Sequence, residues 1–359
     1  MPTRAAAPSG AAAPLAAADS SAPVSALLEV GLLDEIGAIG ARVDDISRAH
    51  PVWRVALADG RRWVVKAGIG HGGPDLAVEC FVYRMTWWCE PLAAALPVPL
   101  AVDEDRQLLV LSDVGGADGT GSLAQQVGFP ALFGVGGAVP RDAVSTVAPT
   151  TTRALGRTVG ALHRATAGFP LPPAPPPLVL GLVGRTDRAA DRGSLSAPVR
   201  GAATTLDGSP PVVDAVAELR RPVAGCLVNH DLKWDNVVLT GPTRRPVLLD
   251  WELAGLGDPA WDLGSLLAEH LVRAPRLDDT GRALLDGYRD GARLRTDVLP
   301  TFARRVVLAA GLRIAQLALE VAYTPYAGDG DAVTRLTERT EAVLATATPM
   351  TEEVLRCLS

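Results

Sequence analysis

The sequence predicts an α+β protein in two parts, a small β-rich N-terminal lobe followed by a larger helical C-terminal lobe. Apolar and polar residues alternate with strand spacing around an Asp59-Gly60 turn, and strands dominate the first 115 residues. Past Ala260 the apolar spacing is helical to the end of the chain. Between these, two apolar strand pieces carry a dense polar cluster. The 359 residues suit about two domains. A hydrophobic content of 48% against 21% charged residues supplies a sizeable core, which excludes a wholly disordered chain and a small disulfide scaffold. The expected division is a disordered tail over 1–24, a sheet lobe over 25–116 and a helical lobe over 117–359.

The elements follow in order. The tail is rich in alanine, proline and serine and has no leucine-rich segment, so it does not fit a secretion signal. Residues 25–42 predict a short amphipathic helix on Leu27, Leu28, Val30, Leu32, Leu33 and Ile36. Val52–Leu57 and Arg62–Lys66 form a hairpin around Asp59-Gly60. Gly68–Pro74 is a glycine-rich connection, and 74–90 is a helix with Leu76, Cys80, Tyr83 and Trp87 on one face. Gln107–Leu111 is a short strand before a breaker cluster at Gly115–Gly121, and 117–150 is loop with one short helix. Thr152–Ala165 is a helix; Pro170–Pro177 is a stiff linker; 179–212 has little pattern and is expected to be a mobile insertion. Gly225–Val228, Val237–Leu239 and Val247–Leu249 are strand-like, and helices are expected over 261–272, 280–290, 302–322, 331–346 and 350–358. The tryptophans Trp87, Trp88, Trp234, Trp251 and Trp261 are expected in the core.

Composition narrows the function. A net charge of −6 with no run of five like charges argues against a nucleic-acid binder. The most apolar stretch, Val306–Tyr323, is interrupted by Arg313 and Glu320 and predicts a buried helix, so no membrane span is expected. Cys80, Cys89, Cys226 and Cys357 lack C-x-x-C spacing and fit reduced thiols of a cytoplasmic protein. Only two of the 34 basic residues are lysine, Lys66 and Lys233, and asparagine also occurs only twice, at Asn229 and Asn236. A chain that otherwise avoids these residues keeps them where the side chain itself is required, since arginine's planar fork does not replace a compact ammonium.

The polar cluster runs Leu227-Val-Asn-His-Asp-Leu-Lys-Trp-Asp-Asn-Val-Val-Leu239. One strand delivers Asp231, Asn236 follows five residues later, and the next strand ends on Asp250-Trp251-Glu252. Two carboxylates and an amide oxygen brought together suit a hard divalent cation. Lys233 places a positive charge where a phosphate can meet it. These are the parts that phosphoryl transfer needs.

Asp231-Leu-Lys-Trp-Asp-Asn236 with Asp250 resembles the catalytic loop and metal-binding aspartate of the protein-kinase-like fold. Gly257-Asp-Pro-Ala-Trp-Asp262 and the Leu155…Leu162-His163 helix resemble its aminoglycoside phosphotransferase branch. The resemblance spans about residues 45–345 and is specific between 227 and 262. It implies ATP and Mg2+ as cofactors, with the nucleotide between the lobes. Asp231 would be the catalytic base, Asn236 and Asp250 the Mg2+ ligands, and Lys233 a γ-phosphate contact. Lys66 in Trp63-Val-Val-Lys66 would pair the α/β-phosphates and Glu79. Glu79 also lies on an apolar helix face, where an unpaired carboxylate is costly. Leu111-Ser-Asp-Val114 would be the hinge, with Ser112 and Val114 reading adenine through the backbone, and Asp262 would brace the catalytic loop.

The chain departs from the branch in two places. Where the branch has H-G-D, this sequence has Asn229-His230-Asp231, so His230 is expected to be structural. No glycine loop precedes Lys66; Ser47 and Arg48 would have to supply phosphate donors. The D-L-K form of the loop favours serine or threonine of a precursor peptide in ribosomal natural-product synthesis (a lanthipeptide-type kinase), priming elimination by a partner lyase. An aminoglycoside or other small amino alcohol is the alternative acceptor, attracted by Glu252, Glu269, Asp278, Asp279 and Asp286. A weakly catalytic pseudokinase scaffold is the remaining class.

Overall fold

The computed structural model describes residues 21–47, 51–68, 76–115, 122–126, 147–184, 195–273, 276–323 and 330–359. They divide into two units: one of residues up to Trp88 with Leu96–Val114, the other of Cys89–Ala95 with Gly115 onward. The fold is α+β and kinase-like, an antiparallel sheet unit followed by a helical one.

In the first unit, strand alternation sorts residues to two faces. A five-stranded antiparallel sheet forms from β1 (Arg42–Asp45), β2 (Val52–Ala56), β3 (Arg62–Ala67), β4 (Pro99–Asp103) and β5 (Leu108–Ser112), in the order β1-β2-β3-β5-β4. Trp53, Val55, Trp63, Val65, Leu108 and Val110 pack with Leu27 and Leu33 into one buried cluster. The period of two puts Lys66 on the face opposite Trp63 and Val65. Its neighbours are Val52 on β2 and Leu109 on β5.

The expected helix over 25–42 is three elements: α1 (Ala22–Glu29), α2 (Glu35–Ala38) and then β1. Gly31, at φ +71°, stops the first run. Because α1 starts at Ala22, the tail expected over 1–24 is shorter at its C-terminal end; residues 1–20 lie outside the described residues. The helix expected over 74–90 is α3 (Ala77–Met85), ended by a turn in which the Thr86 hydroxyl donates to Tyr83 O. Trp87 and Trp88, expected in the core, follow on that turn and are 67% and 62% exposed. Most of Gly68–Pro74 falls outside the described residues.

The second unit holds α4 (Glu90–Ala95), α5 (Leu123–Gln126), α6 (Pro149–Thr166), α7 (Leu178–Leu182), α8 (Ala197–Asp207), α9 (Pro210–Leu219), α10 (Pro259–Leu271), α11 (Asp279–Ala292), α12 (Leu299–Tyr323), α13 (Gly330–Ala345) and α14 (Ala347–Leu358). Two strand pairs interrupt them: β6 (Cys226–Val228) with β9 (Gly255–Gly257), and β7 (Val237–Thr240) with β8 (Arg245–Leu248). The stretch expected to be a patternless insertion is thus mostly helical. Val199, Ala203 and Leu206 of α8 and Val212 and Val216 of α9 are buried; residues 185–194 lie outside the described residues. The proline-rich segment, expected as a stiff linker, is tied into the second unit. Pro173 bridges Leu256 in parallel, Ala174 N donates to Leu256 O, and Leu256 N donates to Pro172 O. Of the loop expected over 117–150, α5 and the start of α6 are described.

α12 is, among the described residues, the one helix long and apolar enough to span a membrane, yet 78% of that apolar window is buried inside the protein. α6 and α11 meet backbone to backbone. A Cβ at Gly156 would stand 2.0 Å from Leu284 O, and one at Gly287 would stand 2.0 Å from Arg153 O. Gly156→Ala should therefore destabilise the protein by about 3 kcal/mol, the overpacking cost exceeding the helix-propensity gain of about 1 kcal/mol. Chemical denaturation checks this; a variant as stable as the parent would refute the close contact.

Candidate active site

In the first unit the rare lysine meets its expected partner. Lys66 Nζ donates to Glu79 Oε1 and Oε2 at 2.9 and 2.7 Å, and both side chains are nearly enclosed. Such a pair is poor evidence for stability, because desolvation offsets attraction, and better evidence for a required charge. At the end of β5, Ser112 N donates to Val98 O and its hydroxyl accepts from Val98 N. Asp113 N donates to Arg62 O, and its carboxylate pairs with Arg54 and Arg62. The N–H of Ser112 is thus committed to Val98 within the first unit. Among the described residues Val114 makes no hydrogen bond. Ser47, offered as a phosphate donor, is likewise engaged: its hydroxyl donates to Val52 O at 3.3 Å and accepts from Val52 N at 2.9 Å. Arg48 lies outside the described residues.

The second unit assembles the polar cluster. After β6 the chain turns sharply, with His230 at φ +66°. Asp262, in the first turn of α10, accepts Asn229 N at 2.8 Å on Oδ2 and His230 N at 2.9 Å on Oδ1. His163 Nε2 lies 3.3 Å from the same carboxylate, and its Nδ1 lies 2.9 Å from the Tyr288 hydroxyl. Trp261 Nε1 donates to His230 O. His230 Nδ1 is 2.7 Å from Pro175 O, so that nitrogen carries the proton and donates; burial pushes the ring's pKa down. These contacts give His230 a structural place.

The loop then presents Asp231. Lys233 Nζ donates to Asp231 Oδ2 at 2.6 Å. Asn236 Nδ2 donates to Asp231 O at 2.9 Å and stands 3.4 Å from Asp231 Oδ2. A 3-10 turn, Trp234–Asn236, leads into β7, and Leu249 N donates to Asn236 O, so Asn236 and Asp250 lie at the same end of the β7–β8 pair. Asn229 Nδ2 donates to Asp250 O at 2.8 Å. Asp250 is held at φ +60°, a left-handed conformation that costs a non-glycine residue of order 1 kcal/mol and persists only where the surroundings impose it. Both asparagines of the chain are therefore clasps on this loop. Asn229 is a site residue that its rarity flagged but that had no assigned role.

Of the acidic residues offered as amine attractors, two have structural partners within the fold. Asp278 accepts Gly281 N as the cap of α11, next to Asp279, and Asp286 pairs with Arg153 and Arg289. Glu269 is enclosed, and burial pushes its carboxyl up to about 8, against the opposing pull of Arg313. The folded state thus keeps a proton that the unfolded chain releases near pH 4.5. This group's contribution to stability is whole below that pH and is lost as the pH rises to about 8. Across that window the loss is on the order of a few kcal/mol. Glu269→Gln should remove this slope, so that the variant gains on the parent in thermal unfolding between pH 5.5 and 8.5. Parallel curves would refute it.

A sheet unit with a buried lysine–glutamate pair, and a helical unit presenting an aspartate loop beside a second aspartate, define a kinase-like phosphotransferase that acts on a hydroxyl group. A family model described as the phosphotransferase enzyme family (APH) matches residues 44–297, and the chain belongs to that family. No curated protein matches. Among solved structures, the chain is similar to a choline/ethanolamine kinase family protein from Mesorhizobium loti, with 17% identity, 93% of this chain and 98% of that chain covered and a TM-score of 0.58. It is also similar to an amicoumacin kinase solved with AMP-PNP, Ca2+ and Ami, with 13% identity, 91% and 94% covered and a TM-score of 0.56. A choline kinase from Cryptosporidium parvum shares 12% identity, with 90% and 94% covered and a TM-score of 0.59. At these identities the likeness is one of fold.

Proposed function

We propose that the chain transfers the γ-phosphoryl group of ATP to the hydroxyl of a small amine-bearing alcohol, with Asp231 as base and Asn236 and Asp250 as Mg2+ ligands. The observation that carries this reading is that Asp231 and Asn236 meet on one loop, while Asp250 follows the strand paired with the one after Asn236 and is held through its backbone by Asn229. Their donor set fits the ion: a carboxylate and an amide oxygen are hard donors. Among the described residues no group of three His, Cys, Asp or Glu side chains forms a metal cage. Bound Mg2+ would neutralise charge developing on the phosphates.

The chain's own residues do the rest. Lys66, set by Glu79, holds the α/β-phosphates, and Val114 offers backbone groups to adenine. Lys233 turns from Asp231 Oδ2 to the γ-phosphate, and the vacated oxygen accepts the hydroxyl proton. The acceptor oxygen bonds to phosphorus as the bond to the β-phosphate oxygen breaks, and ADP leaves. The structural relatives include choline kinases and an amicoumacin kinase, which supports an amine-bearing acceptor. The D-L-K-W-D-N loop favours a second reading, a peptide serine or threonine in natural-product synthesis with a partner lyase. The four free cysteines support a cytoplasmic setting. Labelled ATP with a panel of choline, ethanolamine, aminoglycosides and Ser/Thr peptides tests both. Phosphorylation of amino alcohols or aminoglycosides alone supports the first reading, and of peptides alone the second. Binding of ATP without transfer to any acceptor or to water leaves a scaffold.

A further inference from the structure

Arg313 sits at the middle of α12, between Leu312 and Ile314, and its side chain is 1% exposed. An arginine so placed needs matching charge. Its Nη1 donates to Glu320 Oε1 at 2.6 Å, and Gln316 Nε2 donates to the same oxygen at 3.0 Å. Its Nη2 stands 3.5 Å from Asp231 Oδ1 and, among the described residues, makes no hydrogen bond. Burial opposes the guanidinium charge, but Glu320 and Asp231 outweigh it and hold the group charged. Lys233 holds the other oxygen, Oδ2, at 2.6 Å. Two cations thus face the two oxygens of one carboxylate, one on the loop and one fixed in the helical core.

We propose that Arg313 is a positioning residue for Asp231. Braced by Glu320, it holds Oδ1 so that Oδ2 stays aimed at the acceptor hydroxyl once Lys233 has turned to the phosphate. The proposal rests on Asp231 being the base. A lysine on the loop moves with it and cannot fix the carboxylate while binding phosphate; an arginine anchored in α12 can.

The test is MgATP turnover with water as acceptor, followed with γ-labelled ATP, together with thermal unfolding. Arg313→Met/Glu320→Gln removes both charges of the pair and keeps the core filled. We expect it to fold, to keep KM for ATP within about threefold, and to lose about 10²-fold in kcat, the scale of a 1 Å misplacement. Arg313→Lys keeps charge without the fork and should recover about tenfold of that loss. Arg304→Gln, which breaks an exposed pair with Glu218 on the same helix, should match the parent. A folded double variant with the parent's kcat overturns the proposal. If the double variant does not fold, Arg313→Lys decides: a lower kcat at unchanged KM supports positioning, and an unchanged kcat overturns it. A parent no faster than Asp231→Asn overturns the base assignment itself, which that comparison alone reveals.

Discussion

Asp231→Asn should lower phosphoryl transfer by about 10³-fold while leaving ATP affinity within a few-fold, the middle of the range for losing a general base. The substitution keeps shape and the backbone contacts, since Asn236 grips Asp231 through the main-chain oxygen and Asp231 N donates to Asn229 Oδ1. On the proposed reading it removes the carboxylate that takes the hydroxyl proton. It also leaves Lys233 and Arg313 facing a neutral amide, so a modest drop in melting temperature should accompany the kinetic loss. Single-turnover transfer and nucleotide titration measure the two halves separately. Transfer at the parent rate would remove Asp231 from the chemistry; loss of ATP binding would show that the variant had damaged the site as a whole.

Asp262→Ala should cost about 4 kcal/mol of stability and most of the activity. Two enclosed backbone N–H groups, of Asn229 and His230, would lose their acceptors, at about 1–3 kcal/mol each, and His163 would lose its neighbour. Both N–H groups lie immediately before Asp231, so the catalytic loop would lose its footing along with the protein's stability. Asp262→Asn keeps one acceptor oxygen and should lose about half as much. Denaturant titration of both variants decides, and equal stability across the series would refute the brace.

The legible parts of this molecule were those whose signal is local. The Asp59-Gly60 hairpin, the apolar strands around the polar loop and α10 to α14 all carry their periodicity on the surface of the sequence. β1 was missed because Arg42, Asp44 and Asp45 make a polar edge with no alternation. β4 was missed because it begins at Pro99 and is interrupted by a register shift between Pro99 and Ala101. α8 and α9 bury alanine and valine faces that begin after prolines, a weak amphipathic signal beside a proline-rich run. In the site, the rarity of lysine and asparagine pointed to Lys66, Lys233, Asn229 and Asn236, because each needs its own side chain. Arg313 and Tyr288 gave no such signal: an arginine in an apolar helix takes its meaning from what packs across from it, and only the tertiary arrangement supplies that. Asp250's left-handed backbone is equally a product of its surroundings.

The closed bond between Lys66 and Glu79 has a consequence for how such an enzyme would be governed. An ammonium already docked on its carboxylate needs no inward swing of the helix to form the pair. On the proposed reading this part of the machinery stands in its working posture with no rearrangement of α3.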